Sequence, residues 1–142
     1  MAIRTATAQW NGSITDGEGT MAVGSGAFEG PYSFHSRFEE GTATNPEELI
    51  GAAHAGCFSM QLSGVLTEAG TPPESIRTEA KVQILKAGDG FEIAKIELST
   101  VGRVPGIDDA AFQEAAQTAK ETCPVSVALA GPEITLDATL ES

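Results

Sequence analysis

The sequence predicts an α+β fold, and three observations carry that expectation. Strand-like alternation occupies the N-terminal segment, the block from 76 to 101 and the C-terminal stretch. Helix signals are grouped between these blocks instead of alternating strand by strand, as a doubly wound sheet would require. The longest stretch without Asp, Glu, Lys or Arg, residues 49–67, lies inside one strongly signalled helix.

Residues 2–10 alternate loosely, and Asn11-Gly12 is the dipeptide favoured by a two-residue type I′ turn, so the chain is expected to open with a hairpin. Glycines 17, 19, 24, 26 and 30 punctuate the next segment. In PYSFHSRF, Tyr32, Phe34 and Phe38 share one parity, which reads as the apolar face of a strand with His35 and Arg37 opposite. After Gly41, Asn45 can cap a helix, Pro46 suits its first position and Glu48 completes a capping-box-like pattern. The helix is expected to run to Leu66 and to stop at Gly70 and Pro72-Pro73. Its apolar residues spread around the wheel, so it should be a long central helix buried on most faces, with a second subunit covering what one small sheet cannot. Residues 76–85 and 91–101 read as a hairpin across Ala87-Gly88-Asp89-Gly90. Asp108 caps a helix to about Glu121, Cys123-Pro124 opens a short one, and Ile134, Leu136, Ala138 and Leu140 alternate in a closing strand. No internal repeat is visible, and 142 residues suit one domain, 1–142.

Composition narrows the function. With 41% apolar and 20% charged residues the chain has a globular balance. A net charge of −12 repels phosphate backbones and anionic lipid, which argues against nucleic-acid and membrane partners. The uncharged stretch is long enough to span a bilayer, but His54, Ser59, Gln61 and Ser63 interrupt it. The N-terminus lacks the apolar core of a signal peptide, which points to a cytoplasmic protein. Two cysteines, Cys57 and Cys123, are too few for a disulfide-stapled secreted scaffold.

A cysteine in an apolar helix is ordinarily an inert small hydrophobe. Here there are only two thiols, Cys123 sits where a helix start favours its thiolate, and Arg37 stands just ahead of the long helix. A reactive thiol with a resolving partner accounts for all three. Glu47 and Cys57 lie ten positions apart, about 15 Å along one helix. Glu47 can act near Cys57 only if the helix breaks near Gly51 or if a second subunit packs its helix antiparallel. Metal binding competes: His54 and Cys57 are three apart, with Cys123, His35 or Glu47 as further ligands, but paired zinc spacings are missing. GSGAFEG at 24–30 is followed by no predicted helix, so it is not read as a phosphate loop.

NPEELIGAAHAGCF at 45–58 with SMQLS after it resembles the motif around the first cysteine of the OsmC group in the OsmC/Ohr family of bacterial peroxide reductases. PYSFHSRFE, VPGID, CPVS and EITLD match in order, so the resemblance covers essentially the whole chain, and Gly56 stands where alanine is common. The resemblance implies an OsmC-like fold: antiparallel sheets around a long central helix, in an intertwined homodimer with active sites at the subunit interface. It implies a thiol-dependent peroxidase acting on organic hydroperoxides and hydrogen peroxide in oxidative and osmotic stress. Cys57 is similar to the peroxidatic cysteine, Cys123 to the resolving one, Arg37 to the activating arginine and Glu47 to the glutamate that holds it. No bound cofactor is implied, only an external dithiol reductant, for instance a lipoyl-type one. The competing reading is a non-catalytic module that carries a small ligand or metal in the same apolar cleft.

Overall fold

The computed structural model describes residues 2–141, which form two compact units divided between Leu49 and Ile50. The first holds β1 (Ala6–Asn11), β2 (Glu18–Val23), β3 (Glu29–Tyr32) and α1 (Phe34–Phe38), and α2 (Pro46–Glu68) begins in it. The strands form an antiparallel meander in the order β1-β2-β3. The first hairpin exists, but its turn is not the expected two-residue one. Asn11 stays in the ladder opposite Glu18, leaving a six-residue loop at 12–17. A type I′ turn needs positive φ at both central residues, and only Gly12 has it, at +96°. The Trp10 indole N–H fixes the longer loop by donating to the carbonyls of Gly12 and Ser13, at 3.1 and 3.3 Å.

PYSFHSRF is also corrected. The strand ends at Tyr32, and Phe34–Phe38 is helical. Ser33 caps it: its hydroxyl accepts from the Ser36 amide at 3.1 Å while the Ser36 hydroxyl accepts from the Ser33 amide at 2.8 Å, a reciprocal capping box. Phe34 and Phe38 are four apart, a spacing that satisfies a strand's parity and a helix's turn alike, and their rings meet at 5.0 Å. The capping serines were the signal that separates the two. Beyond α1, Asn45 starts α2 as expected, accepting from the Glu48 amide at 2.7 Å, and the Glu48 carboxylate takes the Thr44 hydroxyl at 2.8 Å.

The second unit contains the rest of α2, then β4 (Ser75–Ala87), β5 (Gly90–Arg103), α3 (Asp109–Thr122), α4 (Pro124–Ala128) and β6 (Glu133–Glu141). Here β4 and β5 form the expected hairpin, turning through Gly88-Asp89 with Gly88 at φ +58°. Asp108 caps α3 by accepting from the Ala111 amide at 2.8 Å. The sheet order is β4-β5-β6, but β6 runs parallel to β5, against the expectation of antiparallel sheets throughout. The segment from 104 to 132 carries two helices, and a crossover of that length returns the chain in its original direction. The core joins Phe58, Leu62 and Leu66 of α2 to Ile96 and Leu98 of β5, to Phe112, Ala115, Ala116 and Ala119 of α3, and to Cys123. Burying each of the larger side chains contributes about 1.5–3 kcal/mol. A chain of hydroxyls, Ser59 to Thr78 at 2.7 Å and Thr78 to Thr100 at 3.0 Å, ties α2 to β4 and β5.

The long helix is less enclosed than expected. It is long and apolar enough to cross a membrane, yet only 28% of its most apolar window is buried. Leu62 and Leu66 face the core, while Ala52, Ala53, Gly56, Met60 and Gly64 lie exposed along the opposite side. One sheet covers one face of a helix, and the apolar residues of α2 extend past it.

Candidate active site

In the first unit, α1 and the first turn of α2 bring Arg37 and Glu47 together. Arg37 Nε donates to Glu47 Oε1 at 3.0 Å and Nη2 donates to Oε2 at 3.1 Å, a fork-to-fork pair. The Glu47 side chain is 7% exposed and that of Arg37 38%. A buried carboxylate therefore anchors a guanidinium whose outer edge remains accessible. Arg37 also lies over the Phe38 ring, 5.3 Å from its centroid.

In the second unit, the sulfurs of Cys57 and Cys123 are 2.9 Å apart with no bond between them. Cys57 is half-buried on α2, whereas Cys123, the N-cap of α4, is 0% exposed. Its sulfur makes no side-chain cap hydrogen bond and lies instead against that of Cys57. Burial pushes the Cys57 thiol up, and its neighbour Cys123 pushes it further. Burial also pushes Cys123 up, but its contact with Cys57 and the nearby polar groups of Ser126 and Val125 outweigh it and bring the thiol below its ordinary range. The two thiols titrate together, and their surroundings raise Cys57 while lowering Cys123.

His54, one turn before Cys57 on α2, is 0% exposed. Its Nε2 lies 2.7 Å from the Ser126 hydroxyl, and its Nδ1 is buried without a partner. Burial holds its pKa below 6.5, so the ring is neutral near pH 7. Sequence reasoning treated His54 as a satisfied helix residue or a metal ligand; it is half satisfied, with Nε2 engaged by Ser126 and Nδ1 without a partner. Among the described residues no group of three or more His, Cys, Asp or Glu side chains gathers to hold a metal. Ser126 was missed, although its place three residues after a capping cysteine was a usable signal, because that position faces the cap side chain.

Residues 39–137 match the sequence model of a family described as OsmC-like protein. The chain belongs to the OsmC family. It is 52% identical over 136 residues to the peroxiredoxin OsmC of Escherichia coli (strain K12), covering 95% of this chain and 94% of that one. An organic hydroperoxide resistance protein of Xanthomonas axonopodis pv. citri is 34% identical over 101 residues, covering 70% of this chain and 67% of that one. Among solved structures, the organic hydroperoxide resistance protein OhrB of Bacillus subtilis superposes with a TM-score of 0.68 at 26% identity, over 96% of this chain and 98% of that one. An organic hydroperoxide resistance protein from Elizabethkingia anophelis shares the fold, with a TM-score of 0.78 at 24% identity and 99% coverage of both chains. The α+β arrangement of two small sheets is thus that of the OsmC family, whose matched segment includes Glu47, Cys57 and Cys123 and begins two residues after Arg37.

Proposed function

We propose that this OsmC-family chain is a cysteine-based peroxidase that reduces organic hydroperoxides, and hydrogen peroxide, in stress defence. The observation that carries the reading is the pair of free sulfurs 2.9 Å apart, one half-buried and one fully enclosed. Cys57 is the sulfur a peroxide can reach, so it attacks; Cys123 sits within bonding reach behind it, so it resolves. The Cys57 thiolate takes one peroxide oxygen: an S–O bond forms, the O–O bond breaks, and the departing alkoxide or hydroxide is protonated to alcohol or water. Cys123 then displaces hydroxide from the Cys57 sulfenic acid to close a disulfide, and an external dithiol of lipoyl type reopens it by exchange.

Burial and Cys123 both disfavour a Cys57 thiolate, so the attacking form needs a cation. Arg37, held on Glu47, is the group to supply it. Ten residues of unbroken helix, about 15 Å of rise, separate Glu47 from Cys57, which supports a homodimer in which the Arg37–Glu47 pair of one subunit serves Cys57 of the other. The exposed small residues of α2 support the same reading, since they permit close approach of a second long helix at the centre of an intertwined dimer. In it, residues 1–142 act as one domain. The soluble, cytoplasmic setting is part of this proposal, as reduced thiols need a reducing compartment.

Replacing Cys57 with Ser tests the reading. The variant keeps the fold and drops cumene hydroperoxide consumption, measured with dihydrolipoamide as reductant, to the uncatalysed rate. Wild-type turnover by Cys57→Ser overturns the proposal.

A further inference from the structure

Cys123 lies between two helices and belongs to neither. Its amide closes α3 by donating to the Ala119 carbonyl at 2.8 Å, and its carbonyl opens α4 by accepting from the Val127 amide at 3.1 Å. The position of its sulfur therefore depends on where both helices rest. With five residues, α4 is too short to hold its place unaided, and its cap side chain makes no hydrogen bond. Two side-chain hydrogen bonds tie this junction to α2, one on each side of the sulfurs. On the α3 side, Gln61 Nε2 donates to the Thr122 hydroxyl at 2.9 Å; that hydroxyl gives its own proton to the Thr118 carbonyl at 2.7 Å, so it is oriented to accept. On the α4 side, His54 Nε2 lies 2.7 Å from the Ser126 hydroxyl, a buried bond that either neutral tautomer can make. His54, Cys57 and Gln61 are spaced three and four apart and line one face of α2. Ser126, Cys123 and Thr122 meet that face in turn, so the sulfur contact is the middle of three rungs.

We propose that Gln61 and His54 are positioning residues for the resolving step: each pins one of the two helices that meet at Cys123, so that its sulfur waits against Cys57. The proposal rests on the peroxidase reading and deepens it. Once Cys57 is a sulfenic acid, Cys123 attacks its sulfur; the S–S bond forms, the S–O bond breaks, and the departing hydroxide leaves as water with the proton of the Cys123 thiol. The step consumes no oxidant or reductant beyond the sulfenic acid itself. To bond, the sulfurs close from 2.9 Å to about 2.05 Å. A shift that small leaves both outer rungs in place. They act by holding α4 still before the reaction, which removes the search that an untethered Cys123 would have to make. The attack of Cys57 on peroxide uses neither rung.

Single-turnover measurements on the full chain test this. Reduced wild type and variants each receive one equivalent of cumene hydroperoxide. Peroxide loss, dimedone-trapped sulfenic acid on Cys57 and disulfide formation are followed separately. Peroxide loss keeps its wild-type rate throughout. Disulfide formation slows about fivefold in Gln61→Met, Thr122→Val or Ser126→Ala, the size expected for one lost hydrogen bond between neutral groups, and dimedone adducts accumulate. Thr122→Val combined with Ser126→Ala, which removes both rungs, is slower than either alone. Gln61→Met with Thr122→Val, and His54→Leu with Ser126→Ala, are each no slower than the slower single variant, because both changes remove the same bond. Thr122→Ser keeps the hydroxyl and the rate. Wild-type disulfide rates after loss of both rungs, additive losses within either bonded pair, or a Thr122→Ser as slow as Thr122→Val overturn the proposal. A second readout separates placement from stability: the disulfide-to-dithiol ratio at equilibrium with oxidised and reduced lipoamide. It falls about fivefold in Ser126→Ala and stays at the wild-type value in Ser59→Ala, which loses its hydroxyl bond to Thr78 away from the junction. A ratio that falls equally in both overturns the proposal. A wild type that consumes no hydroperoxide instead overturns the peroxidase reading, and the lipoamide equilibrium still decides the role of the two rungs.

Discussion

Arg37 is half-exposed on a helix of only five residues, a place where a long side chain ordinarily samples many rotamers. Two parallel hydrogen bonds to a buried carboxylate remove that freedom before any substrate arrives. His54 is constrained differently, by burial without charge. Its folded pKa lies below the unfolded value near 6.5, so below that pH the unfolded chain binds a proton that the folded one refuses. The stability contributed by keeping this ring neutral is therefore present above pH 6.5 and is lost as the pH falls through and below it, at up to about 1.4 kcal/mol per pH unit. Urea midpoints between pH 7 and 5 should fall in the wild type, and His54→Gln should lack that component of the slope. Identical slopes would show that His54 is free to protonate in the folded state.

At the scale of elements, the contact between α3 and the second sheet depends on a missing side chain. A Cβ at Gly102 would lie 2.7 and 2.9 Å from ring atoms of Phe112, which is fully buried and has no space to retreat. Gly102→Ala is expected to destabilise the chain by about 1–3 kcal/mol, read as a lower denaturant midpoint at an unchanged m-value. A midpoint equal to wild type would mean that α3 moves off β5 without cost. Elements were legible where capping and periodicity agreed: Asn45 and Pro46 for α2, Asp108 for α3, Pro124 for α4, and the alternation of β4, β5 and β6. They were misread where one pattern served two structures. The spacing of Phe34 and Phe38 suits strand and helix equally, and Asn11-Gly12 can turn in two residues or begin a longer loop.

For the whole molecule, the unsatisfied part is the open side of α2. Met60 is 79% exposed amid Ala52, Ala53, Gly56 and Gly64, an apolar stripe that a lone chain leaves in water. In the proposed homodimer this stripe is covered, so a charge there should separate subunits without touching the core of either. Met60→Glu should sediment as a monomer with wild-type circular dichroism and lose most peroxidase activity, because the Arg37–Glu47 pair no longer meets the Cys57 of a second subunit. A fully active Met60→Glu monomer would place the complete site within one chain.

By itself the sequence determined the fold class, the chief elements, the family and the four residues expected to do the chemistry, because caps, periodicity and motif spacing are local properties of the chain. Tertiary structure decided what depends on contacts between distant residues. It set the parallel direction of β6, the bidentate grip of Glu47 on Arg37 and the 2.9 Å approach of two sulfurs 66 residues apart. It also seated an imidazole with one free nitrogen behind Ser126, which no local pattern records, since burial and hydrogen-bond satisfaction exist only once separate segments pack together.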